Sequence, residues 1–367
     1  MKVKGEIHYL YIYDVGDEIE LSKVEKVMNR LTQIVGLTYT RLTPKYITIK
    51  PAPLLVNLGT RNMEFFGKEK QVSVVIKIYE VGAISITLVV PVEEEFEDLI
   101  KYTTPKVKYR NKEVSLRNFS EEIVEKVVES IKDHISGIRA SSIPGEYTTF
   151  CINFIETKQT MDKFVSENKK VIAGILKNEP NVKIISDDEI QSALKYKISY
   201  YEDDIVLVDW SVALIIDPEG EFSDQILTIE LANLQLLELR AYDSLIDSVI
   251  EKAYNDIKKT GLDSIIFGIS TKTAMEIAKK RLEIEEVIET TKNSVKFFGD
   301  WYVGKIYSSI SERLHLKEWD SIVSEKLKTL EEIYQLAYNQ IENRRMVFLE
   351  LLIVILILIE IIIFLPR

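Results

Sequence analysis

Three histidines, one cysteine and two short acid clusters are the residues of this 367-residue chain whose types could carry chemistry. His8, His134 and His315 are scattered, with no spacing that would gather them around a zinc ion or a reacting group. The trios Asp187, Asp188, Glu189 and Glu202, Asp203, Asp204 have the oxygens that magnesium prefers. The first also has the composition of a helix start, and the second that of a turn between strands. Cys151, inside YTTFCINFIE, reads as a small buried hydrophobe. The nearest approach to a phosphate loop, GTRNMEFFGKEK, has the wrong separation between Gly59 and Gly67. No dinucleotide fingerprint, nucleophile elbow or kinase set occurs. The chain therefore reads as non-enzymatic, with no catalytic residue, cofactor or metal site assigned.

Composition narrows the partners. A net charge of −11 argues against direct nucleic-acid binding, which calls for a basic field. A single cysteine excludes an internal disulfide. The opening MKVKGEIHYLYIYDVGDE has no apolar run of signal-peptide type. Instead Ile7, Tyr9, Tyr11 and Tyr13 alternate, which predicts the first strand of a folded body placed in the cytoplasm.

The positioning elements follow from periodicity. Residues 1–145 read as an N-terminal α+β domain: strands in KGEIHYLYIYDV, KYITIKPAP, QVSVVIKIYEV and ISITLVVPV, the last two joined at Gly82. Helices are predicted over LSKVEKVMNRLTQIV and over SEEIVEKVVESIKDHI, the latter opening at Ser120. Residues 146–222 read as a second α/β segment, with a helix over FVSENKKVIAGILKN and strands in YKISYYEDDIVLVDWSVALIIDPEG. Residues 223–345 read as one long helix plus a helical-hairpin stalk. The long helix carries a polar line at Glu230, Asn233, Arg240 and Asp247, read as a buried polar seam against a partner helix. Spacings of four and three recur through Ile277, Arg281, Ile284, Ile288, Thr291, Val295 and Phe298, and again through Val323, Leu327, Leu330, Tyr334, Ala337 and Ile341. That period predicts an antiparallel coiled-coil hairpin.

The end of the chain, FLELLIVILILIEIIIFLPR, is almost wholly aliphatic. From Val347 to Leu365 only Glu350 and Glu360 among 19 residues are polar. A helix of that length spans about 28 Å, close to the ~30 Å of a bilayer's hydrocarbon. Arg344 and Arg345 precede the run as membrane-flanking residues. The expectation is a transmembrane helix over 346–365, a tail anchor in a lipid bilayer. The resulting protein is single-pass with its N-terminal body in the cytoplasm. Glu350 and Glu360 fall about 80° apart around the helix, on one broad face, and read as an oligomer or membrane-helix seam.

ELANLQLLELRAYDSLID, the hairpin and RRMVFLELLIVILILIEI together resemble the family of "required for meiotic nuclear division" proteins, with Arg345, Leu349, Glu350, Ile359 and Glu360 in matching places. The resemblance covers about residues 223–365 and implies a membrane-anchored, oligomeric protein without catalytic residues.

The fold class expected is thus α+β: a mixed α/β body, long helices, an antiparallel helical stalk and one C-terminal transmembrane helix. The function expected is a membrane-tethered scaffold or regulator, a homo-oligomer that recruits a cytoplasmic protein partner. Two alternatives stand beside it. One is an oligomeric ion-transport assembly with CorA-like architecture, although this chain has one predicted span and no Gly-Met-Asn tripeptide. The other is a membrane-bound enzyme using one acidic cluster.

Overall fold

The computed structural model describes residues 1–27, 38–41, 52–139, 144–157, 159–259, 278–279, 282 and 301–364. Thirteen strands are found among them: β1 (Lys2–Asp14), β2 (Glu18–Ile19), β3 (Thr38–Arg41), β4 (Leu54–Phe65), β5 (Lys68–Ile78), β6 (Ala83–Glu95), β7 (Val107–Tyr109), β8 (Lys112–Val114), β9 (Ile135–Ser136), β10 (Gly145–Ile155), β11 (Lys197–Ile198), β12 (Ile205–Val208) and β13 (Val212–Ile216). The helices with described bounds are α1 (Leu116–Ile131), α2 (Met161–Leu176), α3 (Asp187–Ala193), α4 (Ser223–Lys259), α5 (Trp301–Arg313) and α6 (Leu316–Phe364), and residues 21–27, at the start of the predicted LSKVEKVMNRLTQIV, are helical as well. A 3-10 helix follows β6 at Phe96–Thr103.

Eleven strands form one mixed sheet in the order β11-β12-β13-β10-β1-β6-β5-β4-β7-β8, with β3 beside β4. Strands from both 1–145 and 146–222 share it, because β1 pairs with β6 on one side and with β10 on the other. All pairs are antiparallel except β10 with β13. That parallel pair needs a long crossover, and α2 and α3 lie in it. The alternation in β1 holds: Ile7, Tyr9, Tyr11 and Tyr13 are buried in the main core. Leu10 and Ile12, pointing the other way, are buried as well, so the central strand is covered on both faces where its sequence turns continuously apolar. At Gly5 the β1–β10 register shifts, and any Cβ there would collide with the carbonyl oxygen of Cys151. Gly82 turns β5 into β6 at φ +84°, where a side chain would strike the carbonyl of Gly16.

Two compact units emerge. The first comprises Met1–Glu238 with Thr290–Lys317, and the second Leu239–Glu289 with Glu318–Arg367. In the second unit α4 and α6 lie side by side. Arg240 stacks on Trp319 at 5.5 Å, and Lys326 reaches Asp243 and Asp247 at 2.6 and 2.7 Å. Leu330 and Ile333 then pack against Val249 and Ile250. Contacts rise together in both helices, so the pair is parallel. Val323, Leu327 and Leu330 are buried as their spacing predicts, and Leu330 packs against α4. The predicted first hairpin arm, Ile277 to Phe298, lies outside the described residues except for 278–279 and 282, and the predicted strand KYITIKPAP lies outside them up to Pro51.

The expected fold class needs correction at the C-terminus. Among the described residues no helix is long and apolar enough to cross a membrane. Residues 316–364 form a single helix, and its aliphatic part is divided by carboxylates. Only the nine residues Leu351–Ile359 separate Glu350 from Glu360. Nine residues of helix measure about 14 Å, half of the ~30 Å hydrocarbon layer. The transmembrane helix over 346–365, the tail anchor and the single-pass membrane placement are therefore overturned. The length of the 19-residue run suggests a span only if its two carboxylates are disregarded, and a charge within the hydrocarbon layer is costly. Arg344 and Arg345 belong to α6, and their side chains lie outside the described residues.

Candidate functional site

The most completely buried charge in the first unit is Glu230, which is 0% exposed. It projects from α4 toward the face of β5 and β6 opposite Val74, Ile76 and Ile78. Strand alternation puts Lys77 on that face, and Lys77 pairs in register with Ser85. Glu230 accepts hydrogen bonds from the Lys77 ammonium, from the Tyr79 hydroxyl at 2.7 Å and from the Ser85 hydroxyl at 2.5 Å. Burial, and then the neighbouring Glu230 carboxylate, push the Tyr79 phenol well above its ordinary range. With both carboxylate oxygens held and no exposed surface, this cluster fastens α4 to the sheet rather than handling a substrate.

The remaining residues of the predicted polar line behave differently. Asn233 donates to the Ile229 carbonyl at 2.8 Å, within its own helix. Arg240 and Asp247 engage Trp319 and Lys326 of α6. Helical spacing placed the four residues on one stripe, and the hydrogen bonds of Glu230 reach the strands: Lys77 and Ser85 lie on β5 and β6.

A second buried ion cluster escaped the sequence reading. Asp209, in the turn between β12 and β13, is 1% exposed. Its Oδ1 accepts two bonds from the Arg313 guanidinium, one of them at 2.8 Å from Nε, and one from the Trp210 amide at 2.6 Å. Lys177 stands 3.3 Å from Oδ2. The end of α5 and the end of α2 are thereby held to one turn. The only sequence signal was an acid between two apolar strands, in LVDWSVALII.

The acid trios take their local roles. Ser186 caps α3, accepting from the Glu189 amide at 3.2 Å, and Asp187, Asp188 and Glu189 fill its first turn. Asp204 accepts from the amides of Tyr200 and Tyr201 at 2.7 and 3.0 Å, closing a turn. Among the described residues no group of three His, Cys, Asp or Glu side chains could hold a metal. Cys151 is fully buried, and that burial pushes its thiol far above the usual range, away from the reactive thiolate. GTRNMEFFGKEK is the β4–β5 hairpin, turning through Phe66 at φ 51° and Gly67 at φ 80°.

Two clefts open on the first unit. One, of about 680 Å³, is polar; Lys4, Lys68 and Lys70 face Glu6, Glu69, Glu93 and Glu94 across it. Lys4 pairs with Glu93 at 2.9 Å and Lys68 with Glu94 at 3.3 Å. Its charges so nearly cancel that no ligand sign is selected. The other, of about 430 Å³, is apolar and lies between α1 and strands β4 and β5.

In the second unit, α6 is bare beyond residue 345. Fifteen large apolar side chains between Met346 and Ile363 are 40–70% exposed. Glu350 and Glu360 are exposed among them.

Comparison with known proteins places residues 4–223 in a match to the family described as "Uncharacterized protein MJ0711, N-terminal domain". A relative from Methanocaldococcus jannaschii, "Uncharacterized protein MJ0711", is 25% identical over 260 residues, which cover 71% of this chain and 77% of the relative. No solved structure matches. These findings overturn the resemblance to the "required for meiotic nuclear division" family. That resemblance rested on short helical segments and five residues of the C-terminal part, about residues 223–365, whereas the family match covers the β-rich body at residues 4–223.

Proposed function

This chain belongs to the family described as uncharacterized protein MJ0711, N-terminal domain, and from that premise we propose that it is a non-enzymatic scaffold that associates with further copies of itself through the end of α6. The observation that carries this reading is the bare aliphatic stretch from Met346 to Ile363. Helices apolar on all sides are ordinarily buried, and exposed apolar patches of this extent mark an interaction surface. A second copy brings the same stretch, of the same length and with the same two carboxylates, so the surface is complementary to itself under rotational symmetry. Glu350 and Glu360 then fall in the seam, where polar residues set how many helices meet. The sheet body, with its buried charges already engaged internally, is left as a rigid platform for another protein.

Mass in solution tests this. Light scattering coupled to size exclusion is expected to give several copies for the full chain and one copy after truncation at Arg345. Glu360→Leu is expected to change the number of copies rather than abolish association. A full-length chain that stays monomeric at every concentration overturns the proposal.

A further inference from the structure

The second cleft of the first unit joins apolar walls to a charged rim. Helix α1 rests on β1 and β6 through Leu116, Ser120 and Val124, all buried. Its next flank, Phe119, Ile123 and Val127 at spacings of four, overhangs β4 and β5 and is only partly buried. Beneath it lie Val56, Val74, Ile76 and Ile78. Neighbouring strands rotate by about 20–25° from one another, so a straight helix seated on the central strands parts from the outer ones and leaves a wedge. The wedge measures about 430 Å³, within the size range of small-molecule sites.

Its mouth is cationic. Arg61, Arg110 and Lys126 stand there against the single carboxylate of Glu122, in a chain whose net charge is −11. Arg61 uses one nitrogen on the carbonyls of Leu58 and Thr60, at 3.1 and 2.9 Å, which fixes its side chain at the rim. Arg110 lies over the Tyr109 ring at 5.1 Å. The backbone of Arg110 is held at φ 52° in the β7–β8 turn, a conformation that costs a bulky residue free energy. Lys126 is exposed and has no ion-pair partner among the described residues.

From this wedge and its rim we infer a binding site for an amphiphilic anion: a free long-chain carboxylate, its alkyl chain between α1 and β4–β5 and its head group at Arg61, Arg110 and Lys126. Apolar walls supply the affinity without selecting among chains of similar length. The guanidinium groups supply the preference for a carboxylate head.

Titration calorimetry of the full chain with dodecanoate, below its micelle concentration, tests the site, with dodecanol as the uncharged probe. One dodecanoate is expected to bind saturably, about tenfold more tightly than dodecanol. Arg61→Gln with Arg110→Gln is expected to remove that tenfold preference and leave dodecanol affinity unchanged. Ile123→Trp, which fills the wedge, is expected to abolish both. Truncation at Arg345 is expected to leave both intact, which separates this site from the bare end of α6. Absence of saturable binding to the full chain overturns the inference. So does dodecanoate binding that survives the double arginine variant unchanged, or that disappears with the truncation.

Discussion

The two units of this protein treat their polar and apolar groups in opposite ways. In the first, charges are taken inside and given partners: Glu230 accepts from three side chains, and Asp209 from a guanidinium and an amide with Lys177 beside it. In the second, the charged contacts of α4 with α6 stay near the surface, and a long aliphatic stretch is left bare. A sheet with both faces covered must satisfy any charge it encloses, since an unpaired buried carboxylate is strongly unfavourable. A helix carries its own backbone hydrogen bonds and can extend with apolar side chains uncovered until another helix arrives. The contrast separates a body whose buried Glu230 and Asp209 find partners within the chain from an arm whose apolar side chains are exposed in it.

Breaking the body should have the largest effect. Removing one partner of a buried ion pair costs about 3–5 kcal/mol, so Glu230→Ala and Lys77→Ala are each expected to lower unfolding free energy by that amount in urea titrations. The double replacement Lys77→Met with Glu230→Leu should recover most of it. A loss below about 1 kcal/mol in the single variants would mean that the first unit does not depend on its internal charges. Next comes Arg313→Ala, expected to cost about 1.5–3 kcal/mol because Asp209 keeps Lys177 as a weaker partner. Arg313→Lys should fall between.

Effects in the second unit are smaller and depend on pH. Burial pulls the Lys326 ammonium down, but hydrogen bonds to Asp243 and Asp247 more than offset this and hold it above the ordinary lysine range. A cation raised in the folded state contributes fully below its unfolded pKa of about 10.4 and loses that contribution as pH rises through the folded value. The α4–α6 contact should therefore loosen above about pH 10.5, seen as faster proteolytic cleavage near residue 326. Lys326→Arg should move that loss to higher pH, since arginine stays charged. An unchanged pH profile in Lys326→Arg would assign the loosening to other groups. Smallest of all, Glu350→Gln at an exposed position should leave the stability of the first unit within about 0.5 kcal/mol. A larger loss would show that the arm supports the body after all.

Much of the body was legible because strands announce themselves by alternation. The hairpin at Gly82 and the strands flanking Asp209 fall where apolar spacing and turn residues put them, and the helix predicted over residues 164–178 begins one turn earlier, at Met161–Leu176. The start of α1 was misplaced. Ser120 has a cap's composition, yet Ser115 precedes the helix, and Ser120 is buried with its hydroxyl 2.5 Å from that of Tyr13. A serine can satisfy itself at a cap or across a core, and only the neighbouring strand decides between them. The polar stripe on α4 is helical, but only its first half is buried: Glu230 and Asn233 are enclosed, whereas Arg240 and Asp247 are exposed beside α6. The apolar cleft left no local trace, because its walls come from residues as distant as Val56 and Val127.

By itself the sequence determined the periodicities: which segments are strands, which are long helices, and that the last stretch is aliphatic with two acids. Those are properties of a few consecutive residues, set by the repeat of two or 3.6 along the backbone. Only the tertiary structure decided that Glu230 meets Lys77, that Asp209 gathers Arg313 and Lys177, and that α1 overhangs two strands to leave a wedge. Each joins residues tens to more than a hundred and fifty positions apart, and such pairings are fixed by sheet order and packing rather than by any local pattern.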